Sequence, residues 1–299
     1  MHSHRLPLVL LLAVSVLAPA VAGASTPAAP ATDAASPTTA ATAATAPPAP
    51  SVTPSASPGG SSAPIPRLRY EVISRRGHDT TAWTQGLVFD AAGRLFESTG
   101  INGRSEVREL DPATGEVLRS VAVPANAYGE GLALIGERML LQITWKEGKA
   151  IAYDKEDFAV LDTFDYTGQG EGWGLCFDGT RLIMSNGSDT LTFRDPATFA
   201  VLATVAVTGA GEPLARLNEL ECADGVVWAN VWETDWIVRI DPTTGVVTGA
   251  LDTTGLLVPH PAATDRGAVL NGIAKVPGTD TYLLTGKYWP QMIEVRITG

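Results

Sequence analysis

Five short motifs recur along the last three-quarters of the chain at a nearly constant spacing. In each, a polar or aromatic residue precedes a Gly-Leu-like step that opens an apolar run. The third residues of successive motifs are 45, 43, 45 and 53 positions apart. A period in the mid-forties with short β-type segments is typical of a β-propeller, with one repeat per blade. The repeat therefore predicts an all-β fold, a five-bladed β-propeller. The motifs are Gln85-Gly86-Leu87, Glu130-Gly131-Leu132, Trp173-Gly174-Leu175, Asn218-Glu219-Leu220 and Asn271-Gly272-Ile273.

Each repeat divides into four short β-type runs separated by turn residues. In the second repeat the runs are Gly131–Leu134, Arg138–Thr144, Ala150–Tyr153 and Val160–Tyr166. The fifth repeat ends after its third run, Met292–Ile297, and Arg69–Ser74 at the other end of the domain is available as its outer strand. Because a ring closed in this way leaves no open sheet edge at the junction, we predict a single propeller domain over residues 67–299.

Residues 1–66, which precede this domain, have the sequence pattern of an export signal followed by a linker. An apolar run, Leu8–Ala18, follows the basic residues of the first positions, and the small residues Ala22-Gly23-Ala24 come after it. This pattern predicts a cleaved signal peptide over residues 1–24 and a secreted or periplasmic location. Residues 25–66 are almost entirely Ala, Pro, Ser, Thr and Gly, a composition typical of a disordered linker. No cysteine follows the apolar run, so no lipid anchor is expected.

Charge and cysteine content exclude several classes of partner and site. A net charge of −11 argues against nucleic acid or an anionic membrane as a partner. Cys176 and Cys222 occupy similar places in neighbouring repeats, and we expect two buried free thiols rather than a disulfide, although export permits one. No His pair or Cys cluster suits a transition metal, so no cofactor is predicted. A structural calcium ion on the ring axis stays open.

Topology predicts that chemically active side chains meet at one end of the ring. The first two strands of a blade are antiparallel, so the first residue of strand one and the last residue of strand two lie on the same side of the ring. The motif residues and the last residues of the second strands are therefore expected close together. Glu97, Glu130 and Lys287 gather with several amides and at least four tryptophans. A concave, aromatic-walled pocket with few polar groups is the usual form of a small-ligand site. Trp145, Trp232 and Trp289 suit either this pocket or packing between blades.

The same residues resemble those of a known enzyme family. The motifs are Trp83-Thr84-Gln85-Gly86-Leu87, Tyr128-Gly129-Glu130-Gly131, Gln142-Ile143-Thr144-Trp145, Glu171-Gly172-Trp173-Gly174-Leu175, Leu217-Asn218-Glu219-Leu220-Glu221, Ala229-Asn230-Val231-Trp232 and Thr285-Gly286-Lys287-Tyr288-Trp289-Pro290. Together they resemble the plant-type, papaya-like and bacterial glutaminyl-peptide cyclotransferases over essentially the whole of residues 69–297. The resemblance implies a five-bladed propeller that converts the N-terminal glutamine of peptides and proteins to pyroglutamate and releases ammonia.

The resemblance also implies which residues form the pocket. The implied catalytic residues are Glu130, Lys287 and Asn218, and the implied substrate-binding residues are Gln85, Trp83, Tyr128, Trp145, Trp173 and Trp232. The family more often has Phe where Trp83 and Tyr128 stand, which changes the size of the pocket and keeps its aromatic faces. We expect Glu130 to move protons as a general acid–base, with a pKa raised by burial. Lys287, Asn218, Gln85 or an indole N–H would stabilise the amide oxygen.

Two other functions fit parts of the pattern. A calcium-dependent propeller lactonase or esterase would hold its ion with Glu130, Asn218 and Asn271, and chelator-sensitive hydrolysis would be its sign. A non-catalytic exported propeller would act as a protein-binding platform, since a fold alone does not assign a function. For the cyclotransferase, the expected partners are peptides with N-terminal glutamine, without a membrane anchor, and the expected state is a monomer.

Overall fold

The computed structural model describes residues 63–257 and 267–299. Over these ranges the chain forms 22 β-strands and no helix, which confirms the all-β prediction. It follows that none of these residues belongs to a helix long and apolar enough to cross a membrane. The predicted signal peptide and all but the last four residues of the predicted linker lie outside the described residues.

The strands form four-stranded antiparallel units in chain order. The first unit contains β2 (Thr84–Phe89), β3 (Leu95–Thr99), β4 (Glu106–Leu110) and β5 (Val117–Ala122). The second contains β6 (Gly129–Ile135), β7 (Met139–Thr144), β8 (Lys149–Asp154) and β9 (Val160–Asp165). The third contains β10 (Leu175–Phe177), β11 (Leu182–Met184), β12 (Thr190–Arg194) and β13 (Val201–Ala206), and the short pair β14 (Thr208–Gly209) and β15 (Glu212–Pro213) follows it.

The last two units share one sheet because the first strand of the chain lies between them. The fourth unit contains β16 (Leu217–Ala223), β17 (Val226–Val231), β18 (Trp236–Ile240) and β19 (Val247–Asp252). The fifth contains β20 (Val269–Lys275), β21 (Thr281–Lys287), β22 (Gln291–Thr298) and β1 (Arg67–Gly77). Strand β1 pairs antiparallel with β22, so the N-terminal strand completes the fifth repeat as predicted. Its first two residues also pair in parallel with β19, which the sequence did not indicate.

The first strands of the five units contact one another in a closed cycle, β2–β6–β10–β16–β20–β2. The glycine of the repeated motif is explained by this contact. A Cβ at Gly86 would lie 2.5 Å from the backbone nitrogen of Leu132, and one at Gly174 would lie 2.0 Å from the backbone oxygen of Asn218. Because no side chain fits between backbones this close, the motif requires glycine at these positions. The outer strands β5, β9 and β13 are largely exposed.

Glu219 stands where the first three motifs have glycine, and it joins three units. Its buried carboxylate accepts hydrogen bonds from Leu87 N at 3.3 Å and from Ile273 N at 2.9 Å. These two backbone groups belong to β2 and β20, so the side chain closes the inner ring of strands through hydrogen bonds. Burial raises the pKa of Glu219 well above its ordinary value.

The expectation of two free thiols is wrong, because Cys176 and Cys222 form a disulfide. The two cysteines lie on β10 and β16, which are neighbours in the inner cycle. Equivalent positions on these adjacent strands place the two Cα atoms 5.4 Å apart, within the usual range for a disulfide. The repeat itself therefore brings the cysteines together, and the bridge joins the third unit to the fourth.

Candidate functional site

One cavity of about 240 Å³ lies at the end of the inner strands and draws residues from all five units. The structure brings all nine site residues suggested by the sequence to its wall. The lining residues are Trp83, Gln85, Tyr128, Glu130, Trp145, Trp173, Asn218, Trp232 and Lys287. Their places follow from topology, since each belongs to the start of a first strand or to the end of a second strand.

Glu130 is the acidic group of the cavity, and its carboxylate faces open space. The residue is 5 % exposed, and its side chain makes no hydrogen bond or ion pair with any residue of the described ranges. Burial raises its pKa well above the ordinary value, an effect that nearby Lys287 opposes and the charges of Glu171 and Glu147 strengthen. A buried carboxyl group with a raised pKa that lines a cavity is suited to exchange protons with a ligand.

Lys287 is the cationic group of the cavity. Its Nζ donates a 2.7 Å hydrogen bond to Gln85 Oε1 and lies 4.1 Å from the ring centroid of Trp232. The side chain is 3 % exposed. Burial lowers the pKa of Lys287 to about 7, although the charges of Glu130 and Glu219 act in the opposite direction. Its charge therefore changes near neutral pH.

Asn218 contributes a further polar group to the cavity wall. Its side-chain oxygen is buried and has no hydrogen-bond partner within residues 63–257 and 267–299. Buried amides are normally satisfied, so an unpaired amide facing a cavity indicates a place for a polar ligand group. The indole N–H groups of Trp145 and Trp173 are, in contrast, already bonded to Glu171. The unpaired Oδ1 of Asn218 can accept a hydrogen bond from a ligand N–H, whereas Asn218 can donate to a ligand oxygen only through its Nδ2. The Lys287 ammonium is better placed than those two indoles to bind an incoming oxygen.

Aromatic rings cover most of the cavity wall and contact one another. Tyr128 packs on Trp145 with ring centroids 5.5 Å apart. Trp232 contacts Trp173 at 6.3 Å and Trp83 at 6.4 Å in edge-to-face arrangements. Burial raises the pKa of Tyr128, and the nearby charge of Glu130 acts in the same direction. The wall is therefore apolar apart from a few groups that orient a ligand.

Glu171 is a residue of this site that the sequence reasoning missed. It does not line the cavity, yet its Oε2 accepts hydrogen bonds from Trp145 Nε1 at 2.7 Å and Trp173 Nε1 at 3.0 Å. Its Oε1 lies 3.3 Å from Lys146 Nζ. The signal available in the sequence is its position two residues before Trp173 in the third motif.

Glu97 and Trp289 were expected at this end of the ring, and neither lines the cavity. The Glu97 carboxylate is fully buried, lies 2.9 Å from Arg108 Nη2, and hydrogen-bonds with His78 Nε2 at 3.0 Å. Although burial acts to raise it, the charges of Arg108 and His78 lower the pKa of Glu97 to about 2. Trp289 belongs to the core between the fourth and fifth units, so of the two interpretations offered for it, packing between blades is the one that the structure supports.

A metal centre has little support from the acidic residues. Among the described residues, no group of three or more His, Cys, Asp or Glu side chains is arranged to hold a metal ion. Glu219 and Glu221, the other acids of the inner strands, accept hydrogen bonds from backbone N–H groups of β2 and β20. The sequence-based alternative of a calcium site at Glu130, Asn218 and Asn271 would also place the ion near the Lys287 ammonium, which repels a cation.

These features define a class: an all-β protein with a buried carboxylate and lysine in an aromatic-walled cavity. A family model described as glutamine cyclotransferase matches residues 39–297. A glutaminyl-peptide cyclotransferase of Arabidopsis thaliana is 38% identical over 228 residues, which are 76% of this chain and 71% of that protein. The crystal structure of Myxococcus xanthus glutaminyl cyclase matches with a TM-score of 0.70 and 38% identity over 79% of this chain and 98% of that one. The chain belongs to the glutamine cyclotransferase family, which confirms the resemblance.

Proposed function

We propose that this protein is a glutaminyl-peptide cyclotransferase that acts on peptides and proteins with an N-terminal glutamine. The observation that carries the proposal is the unpartnered carboxylate of Glu130, which shares a tryptophan-walled cavity with Lys287. The cavity, at about 240 Å³, is smaller than the roughly 300–1,000 Å³ typical of sites for drug-sized ligands. It therefore suits one amino-acid residue, and the rest of the peptide remains outside.

The aromatic wall holds the glutaminyl residue in a folded conformation. Cyclisation needs the α-amine nitrogen close to the side-chain carboxamide carbon, and a free chain rarely adopts that arrangement. Flat rings such as Trp145, Trp173 and Trp232 restrict the chain to compact conformers, which brings the reacting atoms together before the reaction. The same rings exclude water, so attack by the amine is favoured over hydrolysis of the amide to glutamate.

Glu130 transfers the protons of the reaction. The neutral α-amine attacks the carboxamide carbon, a C–N bond forms, and the amine loses one proton to the Glu130 carboxylate. The bond to the amide nitrogen then breaks, and this nitrogen takes the proton from Glu130 and leaves as ammonia. No other reactant is required, and the carboxylate is regenerated. A raised pKa suits both transfers, because the ideal acid–base group titrates near the working pH.

Lys287 and Asn218 stabilise the negative charge that develops on the amide oxygen. Both line the cavity, and the protonated Lys287 supplies donors beyond the one bonded to Gln85. A hydrogen bond aimed at a developing oxyanion in a dry cavity is worth about 10²–10³ in turnover. Gln85 acts by holding Lys287 in position.

The cyclic contact of five inner strands supports a five-bladed β-propeller as the finer description of this fold. The signal-peptide pattern supports export, and the acidic composition argues against nucleic acid or an anionic membrane as the partner. We propose a monomer that needs no metal for catalysis.

The test is ammonia release from a Gln-Gln peptide in EDTA, measured for the wild type, Glu130→Gln and Glu137→Gln. Glu137 lies exposed on the turn after β6 and provides the matched control. The wild type and Glu137→Gln should release ammonia, and Glu130→Gln should fall by about 10²–10⁴. Retention of more than roughly a tenth of the activity by Glu130→Gln would contradict its role. No release by the wild type would contradict the function, and chelator-sensitive hydrolysis of an ester or lactone would favour the hydrolase alternative.

A further inference from the structure

One carboxylate connects the two tryptophans that stand on neighbouring units of the cavity wall. Glu171 Oε2 accepts the indole N–H of Trp145, which follows β7 in the second unit, and that of Trp173, which precedes β10 in the third. We infer that Glu171 is a positioning residue for glutamine cyclisation, which sets the spacing and tilt of these two indoles around the folded glutaminyl chain. The inference rests on the proposed function.

The position of Glu171 in the wall explains why such a connection is needed. Ring-to-ring contacts join Tyr128 to Trp145 on one side and Trp173 to Trp232 on the other. Among the described residues, Trp145 and Trp173 make no direct ring contact with each other, so the aromatic wall is interrupted between them. The two hydrogen bonds to Glu171 connect the two indoles at this place. Lys146 reinforces the connection, since its Nζ pairs with Glu171 Oε1 and lies 3.8 Å from the ring centroid of Trp145.

Glu171 is held as an anion and acts on Glu130 through its charge. Although partial burial opposes it, the hydrogen bonds from Trp173, Trp145 and Lys146 lower the pKa of Glu171. Its negative charge is one of the causes that raise the pKa of Glu130. Glu171 therefore acts in two ways without lining the cavity: it holds the indoles of Trp145 and Trp173, and its charge raises the pKa of Glu130.

Glu147 offers a matched control, because its charge also raises the pKa of Glu130. Its Oε2 accepts only backbone hydrogen bonds, from Tyr128 N and Lys146 N at 3.3 Å each. Glu147→Gln thus removes a similar charge and leaves the indoles untouched, whereas Glu171→Ala removes both the charge and the connection. Glu171→Gln removes the charge and keeps a carbonyl oxygen that can accept an indole N–H.

The kinetic test compares kcat and KM for a Gln-Gln peptide among these three variants and the wild type. Misplacing catalytic geometry by about 1 Å can cost about 10²-fold, so kcat of Glu171→Ala should fall by about 10- to 100-fold. Glu147→Gln should stay within about twofold of the wild type, since it leaves the wall intact. In Glu171→Gln, and more weakly in Glu147→Gln, the acid limb of the kcat/KM profile should move to lower pH, because Glu130 loses a neighbouring negative charge. An equal loss of kcat in Glu147→Gln and Glu171→Ala would overturn the inference.

An independent readout is the indole N–H region of the NMR spectrum, where Trp145→Phe and Trp173→Phe assign the two resonances. Both resonances should move together in Glu171→Ala and stay in place in Glu147→Gln. Movement of neither, or movement of both with unchanged kcat and KM, would overturn the positioning role. If Glu171→Ala does not fold, Glu171→Asp carries the test, because it keeps the charge and withdraws the carboxylate from both indole N–H groups by one methylene. Both indole resonances should move and kcat should fall in Glu171→Asp, and unchanged resonances with unchanged kcat would overturn the inference. A wild type that releases no ammonia overturns the proposed function, whereas the indole shifts report on the connection itself.

Discussion

Lys287 Nζ donates a hydrogen bond to Gln85 Oε1 over 2.7 Å, and this bond joins the end of β21 to the start of β2 inside the cavity. The two residues are 202 positions apart in the chain, so the bond exists only when the first and last units meet. Asn271 Nδ2 lies 3.4 Å from the same oxygen. The position of the Lys287 ammonium therefore depends on correct closure of the ring.

Removal of the Lys287 side chain should lower turnover more than it weakens binding. Because the ammonium stabilises charge that develops only in the transition state, Lys287→Ala should reduce kcat by about 10²–10³ with a smaller change in KM. Lys275→Ala is the control, since Lys275 pairs with Asp224 away from the cavity. Steady-state ammonia release gives both constants. An unchanged kcat with a raised KM would show that Lys287 only binds the substrate.

Replacement of Gln85 should mainly raise KM. Its carbonyl oxygen accepts hydrogen bonds from Lys287 Nζ at 2.7 Å and from Asn271 Nδ2 at 3.4 Å, so Gln85→Ala loosens the wall without removing the cation. We expect KM to rise by about tenfold, the equivalent of roughly 1.4 kcal/mol, with a smaller fall in kcat. The same assay at saturating peptide separates the two effects. A fall in kcat as large as that of Lys287→Ala would mean that the two residues act as one unit.

The pH dependence of kcat/KM should reflect the two buried groups. Glu130 must be ionised to take a proton, and burial raises its pKa, so activity should increase as pH rises through a value above 4.5. Lys287 must be protonated to stabilise the oxyanion, and burial lowers its pKa to about 7, so activity should decline as pH rises past about 7. The two groups interact, so the limbs report apparent values of the pair. In Lys287→Ala the alkaline limb should disappear from the residual activity, and a limb that persists would have another origin.

The spacing of the motifs was enough to predict most of this fold and the cavity wall. Glycine steps at Gly86 and Gly174 mark places where inner strands touch, and strand topology then puts the motif residues at one end. Seven of the nine wall residues could be predicted because each sits at a repeated place in the repeat, whereas Trp83 and Tyr128 were indicated only by the family resemblance. No comparable pattern marks a contact between units that is made only once, such as the parallel pairing of β1 with β19.

The misses have physical causes at particular residues. Glu97 was expected in the cavity because it ends a second strand, but it pairs in register with Arg108 across β3 and β4, and this ion pair keeps it in the sheet. A cross-strand Glu–Arg match is visible in the sequence only once the register is known. Glu171 was missed because its role depends on the direction of two indole N–H groups, which a motif does not encode.

Protein stability should fall as pH rises across the neutral range, and Glu221 should account for part of this fall. Burial raises the pKa of Glu221 to about 8 in the folded protein. Between pH 4.5 and 8 the folded state therefore binds a proton more tightly than the unfolded state, and the stabilisation is lost as pH rises through that window. Glu221→Gln keeps the acceptor for Lys275 N. It should recover about 1–3 kcal/mol at pH 8, measured by urea unfolding. The exposed Glu116→Gln is the control, and equal slopes against pH for wild type and Glu221→Gln would refute the assignment.

The disulfide should stabilise the fold without affecting catalysis. Cys176 and Cys222 close a loop across a sequence separation of 46 residues, for which the chain-entropy relation gives about 4 kcal/mol. Cys222 lies four residues beyond Asn218 on β16, about 13 Å along the strand, so the bond is distant from the cavity. The double variant Cys176→Ala, Cys222→Ala should therefore unfold at lower urea, by about 2–4 kcal/mol, and keep the wild-type kcat and KM. Addition of a reductant should lower the stability of the wild type and leave the double variant unchanged. A loss of turnover at a temperature where the double variant is still folded would mean that the bond between β10 and β16 also holds Trp173 and Asn218 in place.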